Sequence, residues 1–175
     1  MTDSFNNAAK SLAQEAASLI EMMRVETVKK VVADIDRAGE DSLSDLAALA
    51  AQICMVPVAT VTLIDDESQR HWGHFGLKPE MRCIGRDEGL CILTIQTPEI
   101  NTIIYDASVD DRVKGLPVVN GTYDYIKFYA GMPLVMPDGA VIGTICVIDH
   151  LPRTLRKDQL AAMERLRKLV LRVLV

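Results

Sequence analysis

The sequence predicts an α+β domain, a central antiparallel sheet with helices gathered on one face. Three observations carry this expectation. Residues 126–150 form two β-branched and aromatic runs around Met136-Pro137-Asp138-Gly139, a hairpin signal. Neither run alternates cleanly between apolar and polar. Phe128, Ala130, Met132 and Leu134 share one face, and Tyr129, Gly131 and Val135 the other. On the second run Ile142, Thr144, Cys146 and Ile148 oppose Val141, Gly143, Ile145 and Val147. Such a hairpin lies mid-sheet with both faces covered. Finally, helical periodicity occupies both chain ends, giving the order α-α-β-β-irregular-β-irregular-β-β-α.

In chain order, residues 8–37 repeat Leu12, Ala16, Leu19, Ile20, Met23, Val28, Val31, Val32 and Ile35 at helical intervals, with Gly39 as the stop. Thirty helical residues span about 45 Å, against a radius of gyration of about 14 Å for the remaining chain. This helix should overhang its own domain. Residues 42–55 form a second helix with Ser42 as its cap, Asp45 in the first turn and Pro57 beyond the end. Residues 58–65 and 69–77 read as strands joined by Asp66-Glu67-Ser68. Pro79, Gly85, Gly89 and Pro98 make 78–100 irregular. Residues 102–105 are a short strand, 106–122 a loop with one helical turn, and 155–175 a final helix. The division follows: a helical extension over 1–40 and a domain over 41–175.

Composition narrows the function classes. A net charge of −5 lacks the basic surface that nucleic acid requires. No apolar run reaches membrane-span length. The opening MTDSFNN has neither a positive nor an apolar region of a secretory signal. Cys54, Cys83, Cys91 and Cys146 are irregularly spaced, so free thiols in a cytoplasmic protein are expected rather than a zinc site.

From residue 42 to 175 the chain resembles the GAF domain family, the small-ligand sensory modules of bacterial signalling proteins. The residues that carry the resemblance are LAALAAQICMVPVATVTLIDDESQRHW, Gly76-Leu77, Cys91 with Ile95, IIYDASVDDR at 103–112, FYAGMPLVMPDGAVIGTICVIDHLPRTL at 128–155, and the terminal helix. The resemblance implies a ligand pocket on the sheet face opposite the helices, roofed by the irregular segments. The ligand-binding candidates it implies are Trp72, Phe75, Cys91, Ile95, Asp106, Phe128, Met132, Thr144 and Cys146.

Several special chemistries of the family lack their residues. Bilin-binding relatives follow the attachment cysteine with histidine, whereas Ile92 follows Cys91, and no Asp-Ile-Pro is present. The Asn-Lys-x-Phe-Asp-Glu signature of cyclic-nucleotide binders is missing. Cys83 and Cys91 loosely resemble the paired-cysteine loop of free methionine-(R)-sulfoxide reductases, in which one thiolate attacks and another resolves. The later-loop cysteine of those enzymes is absent from 106–122. His71 and His74 are expected on opposite strand faces, a poor metal pair, so no metal site is assigned. Asp110 and Arg112 suit a surface ion pair. No cofactor is specified by any motif.

The end of the terminal helix, Leu169-Val170-Leu171-Arg172-Val173-Leu174-Val175, is apolar on more faces than one sheet covers. Pairing it with the overhanging first helix across a two-fold axis buries both. The expectation is therefore a non-catalytic sensory or regulatory domain of a signal-transduction protein. It dimerises through helices and answers to an unidentified small molecule, with a downstream effector domain or protein as a further partner. Two alternatives stand beside it. One is the sulfoxide reductase chemistry; the other is a ligand-free dimerisation module whose pocket is filled by Met132, Phe128 and Trp72.

Overall fold

Two bulges and one helix cap decide which side chains meet in this protein. The computed structural model describes residues 2–175, with side chains from Asn6 onward; Met1, the first residue of the expected extension, lies outside the described residues. Helix α1 is Thr2–Asp34 and α2 is Arg37–Cys54. The break between them precedes the expected one. Asp36 is extended, and its carboxylate accepts a 2.8 Å hydrogen bond from Gly39 N–H, capping α2. Gly39 is thus in the first turn of α2 rather than a stop. Ser42, the expected cap, instead donates to Ala38 O at 2.8 Å, one turn back within the helix. The expected boundary at residue 40 falls inside α2. Met55 ends the helix in the left-handed region, at φ 55°, and Pro57 prevents its resumption.

Six strands follow: β1 Val58–Ile64, β2 Ser68–Phe75, β3 Cys83–Gly85, β4 Thr102–Ile104, β5 Phe128–Val135 and β6 Val141–Asp149. They form one sheet in the order β3-β2-β1-β6-β5-β4, every neighbouring pair antiparallel. A 3₁₀ turn at Pro79–Met81 and the short helix α3, Cys91–Gln96, interrupt the segment expected to be irregular. Helix α4 is Lys157–Val173. In the β5–β6 turn Gly139 takes φ 89° and Asp138 accepts from Ala140 N–H, as the turn residues foretold.

The sheet is covered on both faces. Against α2, α4 and the second half of α1 lie Ala59, Val61, Leu63, Phe128, Ala130, Met132, Leu134, Ile145 and Val147. On the opposite face Val58, Ile64, Tyr129, Cys146 and Ile148 pack under a roof made by residues 77–126, including Met81, Leu90, Cys91, Ile95 and Val118. A register shift in the β5–β6 pair makes Ile142 an extra residue and turns it into the helix-side core, away from Thr144 and Cys146. A second shift, between β1 and β2, makes Trp72 the extra residue. Its consequence is that His71 pairs with Thr62 and His74 with Thr60, so both histidines face the roof rather than opposite sides.

Helix α1 divides at Glu21. Residues 6–20 are exposed, while Val25, Val28 and Val31 are buried on the sheet. Arg24 anchors the join: its guanidinium donates to Ile64 O at 2.6 Å, to Val141 O at 3.2 Å and to Asp65 O at 3.3 Å. None of the described helices is long and apolar enough to cross a membrane.

Candidate functional site

Beneath the roof the central strands present hydroxyls and thiols where an apolar layer would be the simpler solution. Strand parity places Thr60 and Thr62 of β1, Thr144 and Cys146 of β6 and Tyr129 of β5 on this face, all fully buried. Helix α3 lowers Cys91 and Thr94 onto them. A continuous polar chain results. His71 Nδ1 lies 2.6 Å from Thr62 Oγ1, which is 2.9 Å from Thr60 Oγ1. Thr60 Oγ1 is 3.1 Å from Cys146 Sγ, and Cys146 Sγ is 3.9 Å from Cys91 Sγ. Thr94 and Tyr129 share a 2.8 Å hydrogen bond beside it. Thr144 Oγ1 is buried and has no hydrogen-bond partner among the described residues.

The environment separates these groups electrostatically. The contact with Cys146 draws the Cys91 thiol below its ordinary value, with help from the Tyr129 and Thr62 hydroxyls and against the opposing effect of burial. The same contact raises Cys146 well above the ordinary thiol value, and burial adds to it. Burial, with the charge of His74 behind it, pushes His71 down to about 4.

The roof closes tightly. Gln69, His71, Met81, Cys91, Tyr129 and Ile148 are among the residues around a cavity of about 20 Å³, room for roughly one water. Gln69 holds the lid loop by donating through Nε2 to Arg86 O and to Gly89 O, while its Oε1 has no partner among the described residues. Outside lies an open cleft of about 500 Å³ between Glu67, Glu80, Glu88 and Tyr123, with Cys83 on its wall. Met81 and Ile84 line both spaces and form the partition between them.

The roof is also tied to the overhanging helix. Arg86, in the loop after β3, pairs with Glu21 of α1, which also accepts two 2.8 Å hydrogen bonds from Arg24. Led by Arg24, these partners hold the Glu21 carboxyl at about 2, well below its ordinary range, although burial opposes them.

Of the expected ligand-binding residues, Cys91, Thr144 and Cys146 meet, and Ile95 packs under the same roof. Phe128 and Met132 lie on the other side of the sheet, in the core beneath the helices, because their strand parity is opposite to that of Tyr129. Trp72 also packs on that side, turned there by the bulge, with Arg70 over its ring at 5.7 Å. These three therefore do not fill the roofed pocket; Tyr129, Cys91, Leu90, Met81 and Ile148 do. Phe75 ends β2 with 41% of its surface exposed. Asp106 accepts from Ser108 N–H in a surface turn, and Asp110 pairs with Arg112 as expected. Cys83 is exposed on the outer cleft while Cys91 is buried beside Cys146, so the structure pairs Cys91 with Cys146 rather than with Cys83. Among the described residues no group of three or more His, Cys, Asp or Glu is arranged to hold a metal ion.

Gln69, Thr60, Thr62 and Tyr129, none of them expected in the pocket, belong to this site, as does His71, expected only as half of a poor metal pair. The alternation of polar residues at 60, 62 and 144 within otherwise apolar strands is a signal for part of this set, while His71 joins it only through the bulge at Trp72.

This architecture is shared by solved structures of GAF-domain fold. The GAF domain of an Acinetobacter phosphoenolpyruvate-protein phosphotransferase superposes with a TM-score of 0.63 at 20% identity, over 87% of this chain and 92% of that one. A type II free methionine-R-sulfoxide reductase from Thermoplasma acidophilum gives 0.60 at 14% identity, over 78% and 94%. The chain has the GAF-domain fold. In sequence it is 28% identical, over 138 residues, to the cyclic di-GMP phosphodiesterase PA2567 of Pseudomonas aeruginosa. That match covers 78% of this chain and 23% of the relative, so the chain spans about a quarter of that protein's length. No protein-family model matches the chain.

Proposed function

We propose that this chain is the sensory or regulatory GAF domain of a cytoplasmic bacterial signal-transduction protein, without catalysis of its own, working through a helix-mediated homodimer. The observation that carries the proposal is the Glu21–Arg86 pair, which joins the loop closing the small cavity to the helix that leaves the domain. A small molecule with an N–H or O–H donor for Gln69 Oε1 enters by lifting Met81 and the roof loop. It thereby changes how Arg86 holds Glu21. The ligand then has different affinity for two arrangements of α1, the condition for any allosteric effect. On the exposed part of α1, Leu12, Ala16, Leu19 and Met23 recur at spacings of four, three and four, which is a two-stranded coiled-coil seam. In a longer chain such helices relay the change to an effector, and the phosphodiesterase relative suggests a cyclic di-GMP-degrading unit as its class.

Native mass spectrometry beside the denatured sample tests the proposal. A dimer with an additional mass that is lost on denaturation supports it and yields the ligand's mass. A monomer at every concentration removes the helix-mediated half. A dimer without additional mass, together with no binding by a small-molecule library, replaces sensing with a self-filled dimerisation module. Turnover of free methionine sulfoxide with a thiol reductant overturns the non-catalytic assignment.

A further inference from the structure

We propose that Cys91 and Cys146 form a hydroperoxide-oxidisable dithiol whose disulfide locks α3 onto β6 and so fixes the roof. Three observations on different elements converge on it. The two sulfurs are 3.9 Å apart, on α3 and on the central strand β6, with no side chain between them. The Thr144 hydroxyl, buried and unpartnered on the same face of β6, is available to donate to an anionic sulfur or to a sulfenate oxygen there. The third is a route inward. The cavity bordered by Cys91 is separated from the open cleft by Met81 and Ile84 alone among residues lining both spaces. Met81, the flexible member of that pair, is the side chain a hydroperoxide would push aside to pass.

The chemistry balances in two steps. The Cys91 thiolate attacks the distal oxygen of the hydroperoxide; an S–O bond forms, the O–O bond breaks, and the alkoxide or hydroxide released takes a proton to leave as alcohol or water. Cys91 becomes a neutral sulfenic acid. The Cys146 sulfur then attacks the Cys91 sulfur, forming S–S and breaking S–O, and the departing hydroxide combines with the Cys146 proton as water. The two thiols lose two electrons and two protons, and the hydroperoxide accepts both. The roles follow from position and environment: Cys91 borders the inner cavity and Cys146 does not, and of the two thiols it is Cys91 whose value is lowered, so Cys91 attacks first. Cys146 is raised chiefly by its contact with Cys91, an effect that ends once Cys91 is a neutral sulfenic acid. Closing the bond brings the sulfurs to about 2.05 Å, so α3 must descend toward β6.

Cys54 and Cys83 supply internal contrasts. Cys54 is buried under the helices with its thiol pushed up to about 11 by burial, and Cys83 is open to solvent in the cleft. The test is hydrogen peroxide titration of the full chain carrying Cys83→Ser, followed by alkylation under denaturing conditions and peptide mapping. The expected result is a 91–146 disulfide, with a mass lower by two hydrogens, formed while Cys54 remains alkylatable and reversed by dithiothreitol. In Cys146→Ser the expected product is a Cys91 sulfenic acid trapped by dimedone. Met81→Ala, which thins the partition, speeds disulfide formation several-fold; circular dichroism confirms that each variant is folded. The proposal is overturned if both thiols stay reduced while unfolded protein is readily oxidised, or if Cys91 oxidises and Cys146 never joins it.

Discussion

Glu21 of α1 and Arg86 of the roof loop are joined by an ion pair across 65 residues of chain, and the same carboxylate is gripped by Arg24. Two distant segments are thereby coupled, and the Asp65 carbonyl, which accepts from both Arg24 and Arg86, ties them a second time. Glu21→Gln keeps the shape and removes the charge. Because Glu21 is partly exposed, the loss of global stability should stay below about 1 kcal/mol. Hydrogen exchange in residues 86–90 should nevertheless rise, along with that of the α1 turn around Arg24. The pairing is complete above pH 4.5 and is lost as the pH falls toward 2, so the two proteins should become alike through that window.

His71 supplies a second pH dependence. Its folded-state value, about 4, lies below its ordinary 6.5, so the unfolded chain takes up a proton first as the medium is acidified. Stability therefore falls between pH 6.5 and 4, by up to about 3 kcal/mol, and levels off below. Urea unfolding across this range should show that slope, and His71→Gln should flatten it. An imidazole resonance that titrates near 6.5 in the folded protein refutes the assignment.

Gly73 allows β2 to lie directly on α2. A Cβ at this position would come within 2.4 Å of the Leu43 carbonyl carbon and oxygen, which are backbone and cannot rotate away. Gly73→Ala should cost about 3 kcal/mol, read as a lower denaturant midpoint. At Gly139, where φ is 89° but space is open, alanine should cost less.

The exposed seam of α1 predicts assembly. Leu19→Glu with Met23→Glu changes residues that are 58% and 62% exposed, so the domain should keep its melting temperature. Sedimentation should show the unsubstituted chain as a dimer and this variant as a monomer.

The doubly buried hairpin and the helices at both ends were legible because long apolar periodicities leave few packings open. Thr144 and Cys146 were legible as neighbours on one face of β6 from strand parity, whereas only the family resemblance put Cys91 with them, since it lies on α3 outside the strands. What could not be read arose from single-residue events. One bulge at Trp72 brought His71 and His74 to the same face and carried the tryptophan away from the pocket. Another moved Ile142. Phe128 and Met132, expected at the ligand, lie in the helix-side core, and their own strand pattern already opposes them to Tyr129. The cap at Asp36 was hidden because Ser42 offers an equally good local signal, and the choice is made by where Arg24 and Val31 fasten α1 to the sheet. β3 and α3, at three and six residues, are too short for periodicity to register.

The Arg24 clamp gives the exposed part of α1 the properties of a lever. From the fulcrum at Arg24 out to residue 6 the helix runs about 27 Å at 1.5 Å per residue. A tilt of about 10° at the clamp would swing the far end by about 5 Å, close to the pitch of one helical turn. Displacements too small to disturb the packing of Val25 and Val28 are thus magnified along a rigid rod, and register between paired rods becomes a gauge of angle at the sheet.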